Sequence, residues 1–219
     1  MKTHISIVKV LLALFYVGSA VRGAEAGSFN FSNNAPITIN DFGPATPYPL
    51  TVTVSGFNAG ITDLNVVLNG LSHTFPEDIG ILLVGPGGQK VVLMNDTGGI
   101  NPIVNIRLTI DDQASSTIPD PISGSLLSGT YKPTNLSPGD TFAPPSLAAG
   151  PYSTSLSVFN GTSLNGTWSL FIRDFSAGDG GQLSLGFGLQ GTAPEPSTFF
   201  LFGLGLIILA SLLRRRTRG

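Results

Sequence analysis

From Asn30 to Gly191 the chain never sustains a helical period, and this restricts its fold more than any other feature. Apolar residues come instead in short runs separated by Gly, Pro, Asn and Asp. Leu50 to Ser55 alternates with period two, and Ile61 to Leu68, Ile79 to Val84, Val91 to Met94 and Val104 to Ile110 follow. After a stretch rich in Pro, Gly and Ser come Ser155 to Phe159, Thr167 to Arg173 and Leu183 to Gln190. Strand side chains alternate between two faces, so short runs bounded by turn residues predict strands. Eight or so of them predict an all-β fold, an antiparallel jelly roll or β-sandwich. Gly85-Pro86-Gly87-Gly88 and Ala177-Gly178-Asp179-Gly180-Gly181 are expected to be tight connections where glycine supplies positive φ. Residues 111–149 differ: they are proline-rich and aperiodic, a loop region of a length that is usually functional or mobile.

The two ends are not part of this pattern. Lys2 and Lys9 precede a short apolar run, Val10 to Val17, and small residues follow it. That order predicts a secretory signal peptide over 1–26, cleaved at Ala24-Glu25-Ala26, with Gly18-Ser19-Ala20 as the competing site. Such a signal implies passage through the Sec translocon. At the other end, residues 194–219 open with Pro194-Glu195-Pro196 and continue into an uncharged apolar stretch, 199–213. Arg214, Arg215, Arg216 and Arg218 close the chain. Fifteen residues at helical rise cover roughly 22 Å, against a hydrocarbon core of roughly 30 Å, so a transmembrane helix is expected with some local thinning of the bilayer. The arginines are expected to stay cytoplasmic and the body to lie on the outer side.

Pro-Glu-Pro, a short glycine-containing span and a terminal arginine run resemble the PEP-CTERM sorting signal of Gram-negative bacteria. The resemblance implies an inner-membrane exosortase that recognises Pro194, Glu195 and Pro196, transient retention through 199–213, and delivery to the cell surface or the extracellular space. It also implies a cell that makes exopolysaccharide. A plain single-pass anchor with a proline-rich stalk is the alternative reading of the same residues.

Removing both ends leaves 27–193, where Lys90, Arg107, Lys132 and Arg173 face ten Asp and one Glu. A body near −7 is a poor partner for nucleic acid or anionic lipid, which need clustered positive charge. The chain has no cysteine, so thiol catalysis and thiolate metal sites are excluded, and an exported fold of this kind depends on core burial.

Two strips of the body resemble the P domain (homo B) of proprotein convertases. Ile61 to Gln89 runs from a strand through His73-Thr74 and Asp78 into a second strand and Gly85-Pro86-Gly87-Gly88; Gly166 to Phe187 opens Gly-Thr-Trp and passes Asp174. Ile79 stands where that family has Leu, and Phe187 where Trp is common. The resemblance covers most of 40–191 and implies a jelly roll of the type attached to subtilisin-like proteases; the stand-alone form, without a protease ahead of it, is the expectation here.

Candidate chemistry is sparse. His73 lies beside Ser72 and near Asp78, but neighbours on a strand point to opposite faces, and a Ser/His/Asp relay needs convergence in space. A hydrogen bond from His73 to Asp78 that fixes a connecting loop is the expected arrangement. Among the carboxylates, Glu77-Asp78 and Asp174 with Asp179 stand out, because Asp174 to Asp179 combines side-chain oxygens and flexible carbonyls in one loop. Calcium needs six to eight such oxygens, so Asp78, Asp174 and Asp179 are the candidate ligands, supported by calcium sites in related domains. Asp174 accepting bonds from its own turn is the alternative. Asp111-Asp112 with Asp96 reads as solvated surface. Trp168, in phase with Leu170 and Ile172, is expected in the core rather than as a sugar-stacking platform. The expectation is a non-enzymatic surface or extracellular-matrix protein, structural or adhesive and linked to exopolysaccharide and biofilm; a calcium-stabilised binding module for a partner protein or polysaccharide is the alternative, and a hydrolase or protease accessory domain is the third reading.

Overall fold

The computed structural model describes residues 26–57, 59–142 and 149–194. The chain divides into two compact units, Ser28–Ala193 and a second made of Met1–Gly27 with Pro194–Gly219. The second lies almost wholly outside the described residues. So do the expected signal peptide with Ala24, apart from Ala26 at the start of the first strand, the rest of the sorting motif (Glu195, Pro196), the span 199–213 and Arg214 to Arg216. Among the described residues no helix is long and apolar enough to cross a membrane.

The first unit is all-β, with two sheets that share one core. The first sheet is built on β5 (Asp63–His73), the longest strand. On one edge of β5 lies β8 (Ile103–Ile110), followed by β9 (Gly129–Tyr131). The other edge takes β12 (Gly181–Leu183) against Leu71–His73 and β13 (Phe187–Pro194) against Asp63–Leu68. Beyond these lie β2 (Ile37–Ile39) and β1 (Ala26–Asn33). The second sheet runs β10 (Thr134–Asn135), β7 (Lys90–Asn95), β6 (Ile79–Val84) and β11 (Gly166–Asp174). The far edge of β11 pairs with β4 (Leu50–Val54) and β3 (Gly43–Pro44).

Strand β6 shows why these runs read as strands. Ile79, Ile81 and Leu83 enter the shared core, whereas Leu82 and Val84 face a second cluster with Val92, Phe142 and Phe171. Tyr48 and Tyr152 pack against that cluster, so β6 is buried on both faces and its sequence is an unbroken apolar run. Trp168, Leu170 and Ile172 point into the shared core while Phe171 points away, the period of two expected of β11.

Three expectations need correction. The sheets are mixed rather than antiparallel, because β9 runs parallel to β8 and β10 parallel to β7. Both pairings follow long connections, which parallel neighbours require. Ser155 to Phe159 is not a strand: Leu156–Phe159 forms a 3-10 turn. Asp112 explains this by accepting the N–H groups of Leu156 (2.9 Å) and Ser157 (2.8 Å), which a strand would have offered to a neighbour. Leu156 and Phe159, three apart, are buried. Finally, Leu183 to Gln190 splits into β12 and β13 at Gly186, whose φ is +60°.

The proline-rich region is laced to the sheets. Thr97 Oγ1 donates to the Ile118 carbonyl (3.1 Å), Asn101 Nδ2 to Gly124 O (2.8 Å), and the Arg107 N–H to Ser128 Oγ (3.0 Å). Ile118, Leu126 and Phe142 from this region are buried. Residues 143–148 lie outside the described residues.

Candidate functional site

One end of the body gathers the polar residues singled out above. His73 closes β5 in the first sheet, and Asp174 closes β11 in the second. Their side chains are fully buried, with His73 Nε2 3.2 Å from Asp174 Oδ2. The contact joins the two sheets where their strands end. His73 Nδ1 lies against the Phe75 backbone, 3.2 Å from its N–H nitrogen and 2.9 Å from its carbonyl oxygen. Asp174 Oδ1 accepts the Ser176 N–H at 2.9 Å. Burial raises the Asp174 carboxyl above its ordinary range; the Ser176 N–H and His73 oppose this, and Asp179 adds to it.

The partner of His73 is therefore Asp174, not the expected Asp78. Asp78 sits in the short 3-10 turn Pro76–Asp78, its N–H donating to Phe75 O (3.1 Å) and its carbonyl accepting from Phe175 N–H (2.8 Å). Its carboxyl is pushed up from 3.8 to about 6, first by burial, then by the charges of Asp174 and Asp179, while a hydrogen bond with Ser176 pulls it down. Asp179 Oδ1 accepts the Thr74 hydroxyl at 2.8 Å. Glu77 belongs to another neighbourhood, where partial burial and the charges of Asp120 and Asp96 raise its carboxyl.

Asp78, Asp174 and Asp179 are thus neighbours, with Asp78 feeling the charges of the other two. A calcium ion needs several free oxygens converging at about 2.3–2.6 Å. Asp174 Oδ1 takes the Ser176 N–H, and Oδ2 faces His73. Among the described residues no group of three or more His, Asp or Glu could hold a metal ion. Nor do Ser72, His73 and Asp78 form a relay: Ser72 Oγ accepts the Asn105 N–H at 2.8 Å, while His73 faces Asp174. Asp41 reaches the loop of Asp174 to Asp179, its Oδ1 accepting the Gly178 N–H at 2.8 Å, whereas three other carboxylates serve separate segments. Asp112 accepts from Leu156 and Ser157, Asp96 takes the Ser137 hydroxyl (2.6 Å), and Asp111 Oδ1 takes the Gln113 N–H (2.7 Å).

The raised Asp78 carboxyl makes a testable statement. Between about pH 3.8 and 6 the folded state binds more protons than the unfolded chain, so this group's contribution to stability falls as pH rises through that window. Asp78→Asn should then stabilise the body at pH 7, by on the order of 1 kcal/mol given partial solvation of the site, and the gain should vanish near pH 4. Denaturant titration with chelator and with calcium checks this. A variant less stable than wild type at pH 7 only when calcium is present would show instead that a cation uses the carboxylate.

The second candidate site is the junction with the tail. Strand β13 ends at Pro194, the first residue of the Pro-Glu-Pro motif. The Thr192 carbonyl accepts both the Thr62 N–H (2.9 Å) and the Thr62 hydroxyl (2.8 Å), and Ala193 is buried.

Comparisons with known proteins bear on this second site. No curated protein matches the chain. Among solved structures, the chain is similar to the serine protease of Aeromonas sobria, free (14% identity, TM-score 0.40) and in complex with its chaperone ORF2 (15%, TM-score 0.41). It covers 84% of its own length in both and spans only 29% and 30% of those chains. Residues 192–216 match the PEP-CTERM protein-sorting motif, which marks this chain as an exported protein with exosortase as its processing partner.

Proposed function

We propose that the body is a non-enzymatic, P-domain-like jelly roll, held at the inner membrane by its tail and then released by exosortase to the cell surface or extracellular matrix. There it acts as a structural or adhesive component in contact with exopolysaccharide. The observation that carries this reading is the sorting match at 192–216, which begins within the last three residues of the body's last strand. The lone histidine of 27–193, spent on a buried contact between sheets, supports a role without catalysis.

The test is the intact mass of the protein from cells and from medium, with and without exosortase. The expected result is a species ending near Pro194 to Pro196 that disappears when the enzyme is deleted or when Glu195 is replaced by Ala. A species keeping Arg214 to Arg218 in every strain would make the tail a permanent anchor.

A binding module is the second reading, favoured by an open groove of about 410 Å³. Gln89, Lys90, Pro151, Tyr152 and Val158 line it, and Ser153 fixes one wall by accepting the Val92 N–H (2.9 Å) and donating to Lys90 O (2.8 Å). Its volume falls in the range of small-ligand sites. Saturable binding of matrix saccharide by the monomer would favour it over self-association.

A further inference from the structure

The junction leaves the sorting enzyme no free chain on the body side of its motif. The matched segment starts at Thr192, but Thr192, Ala193 and Pro194 belong to β13. That strand is not an edge: β1 lies on one side and β5 on the other. In register with β5, Gly191 lies opposite Leu64 and Thr192 opposite Asp63. A side chain at Gly191 would run into the Asp63 carbonyl, so the two strands approach closely up to the motif itself. Just before β5 begins, Thr62 holds the Thr192 carbonyl with two donors, and the two threonine hydroxyls lie 2.9 Å apart.

Proteolytic sites hold an extended segment on both sides of the cut, and an internal strand already has its backbone groups paired. The geometry points to release gated by the body: the last residues of β13 unpair from Thr62 and Asp63 before exosortase engages Pro194-Glu195-Pro196. Thr62 is a positioning residue for processing, one that acts through the strand end and need not touch the enzyme. Ends of strands open at low free energy without global unfolding, so such a gate slows release and does not forbid it. This rests on the exosortase reading proposed above.

The experiment follows release of the full-length protein in its host by pulse-chase and intact mass. Four chains are compared with wild type: Thr62→Val, a Gly-Ser-Gly-Ser insertion between Ala193 and Pro194, the two combined, and Glu195→Ala. The insertion should speed release at least fivefold, because the motif no longer competes with the sheet. Thr62→Val, which loses the side-chain bond at a solvent-exposed position, should speed it two- to fivefold. In the insertion background Thr62→Val should change nothing, a non-additivity that general destabilisation would not produce. Wild-type rates for the insertion and for Thr62→Val, with Glu195→Ala still blocking release, would overturn the gate while leaving the exosortase reading intact. Unimpeded release of Glu195→Ala would overturn both.

Discussion

Replacing His73 by Leu is expected to lower the stability of the folded body by about 3–5 kcal/mol, read from denaturant titration at pH 7. The reason is Asp174, which stays fully buried and loses the group 3.2 Å from its Oδ2. Desolvation already raises the Asp174 carboxyl, and His73 is one of the two groups that lower it. Without His73 the folded-state pKa moves further up, and the sign of the pH effect follows. A carboxyl raised in the folded state costs stability as pH rises from its unfolded value through its folded one. The deficit of His73→Leu should therefore be largest at neutral pH and shrink toward pH 4. Adding Asp174→Asn removes the orphaned charge while keeping an acceptor for the Ser176 N–H, and should restore at least half of the loss. A cost below about 1 kcal/mol for His73→Leu would mean that the contact between the sheets contributes little.

This pair also shows where reading the sequence stops. Asp78 lies five residues from His73 and was the natural partner on spacing, but local spacing does not say which strand ends meet across a core. His73 and Asp174 are brought together because β5 and β11 end at the same edge of two different sheets. By contrast, β6 was legible to the residue, since burial on both faces writes a continuous apolar run from Ile79 to Val84. β1 left a weaker signal that could have been found: Phe29 and Phe31 alternate among Asn and Ser, and both pack toward the core. β9 and β10, only three and two residues long, have no periodicity to read and exist because the proline-rich region is tied to the edges of β8 and β7. The three-part order of the tail was legible because it depends on residue types in sequence and not on contacts made in space.

The legible core makes the second large prediction. Trp168→Ala should cost about 3–5 kcal/mol, enough to leave a fold of this size marginal. Trp168 is 0% exposed, packs edge-on against Phe159 with ring centroids 4.9 Å apart, and donates its indole N–H to Leu164 O at 2.9 Å. Trp168→Phe keeps most of the apolar volume but leaves that buried carbonyl without its donor, so a smaller loss of about 1–3 kcal/mol is expected. The same corner explains the first glycine of Gly85-Pro86-Gly87-Gly88. Gly88 has the positive φ expected of the motif (+84°), whereas Gly85 is needed for clearance: a Cβ there would lie 2.6 Å from the Phe159 ring and 3.2 Å from Trp168. Gly85→Ala should thus destabilise by about 1–3 kcal/mol through overpacking. Trp168 is the chain's one tryptophan, so its fluorescence reports both the stability and the ligand question in a single sample. Its emission should be blue and insensitive to saccharide in the native state, since no sugar can stack on an enclosed ring. A saccharide-dependent change in that emission without unfolding would mean that the corner opens, and would move the binding surface from the groove at Lys90 and Tyr152 to the core side of β11.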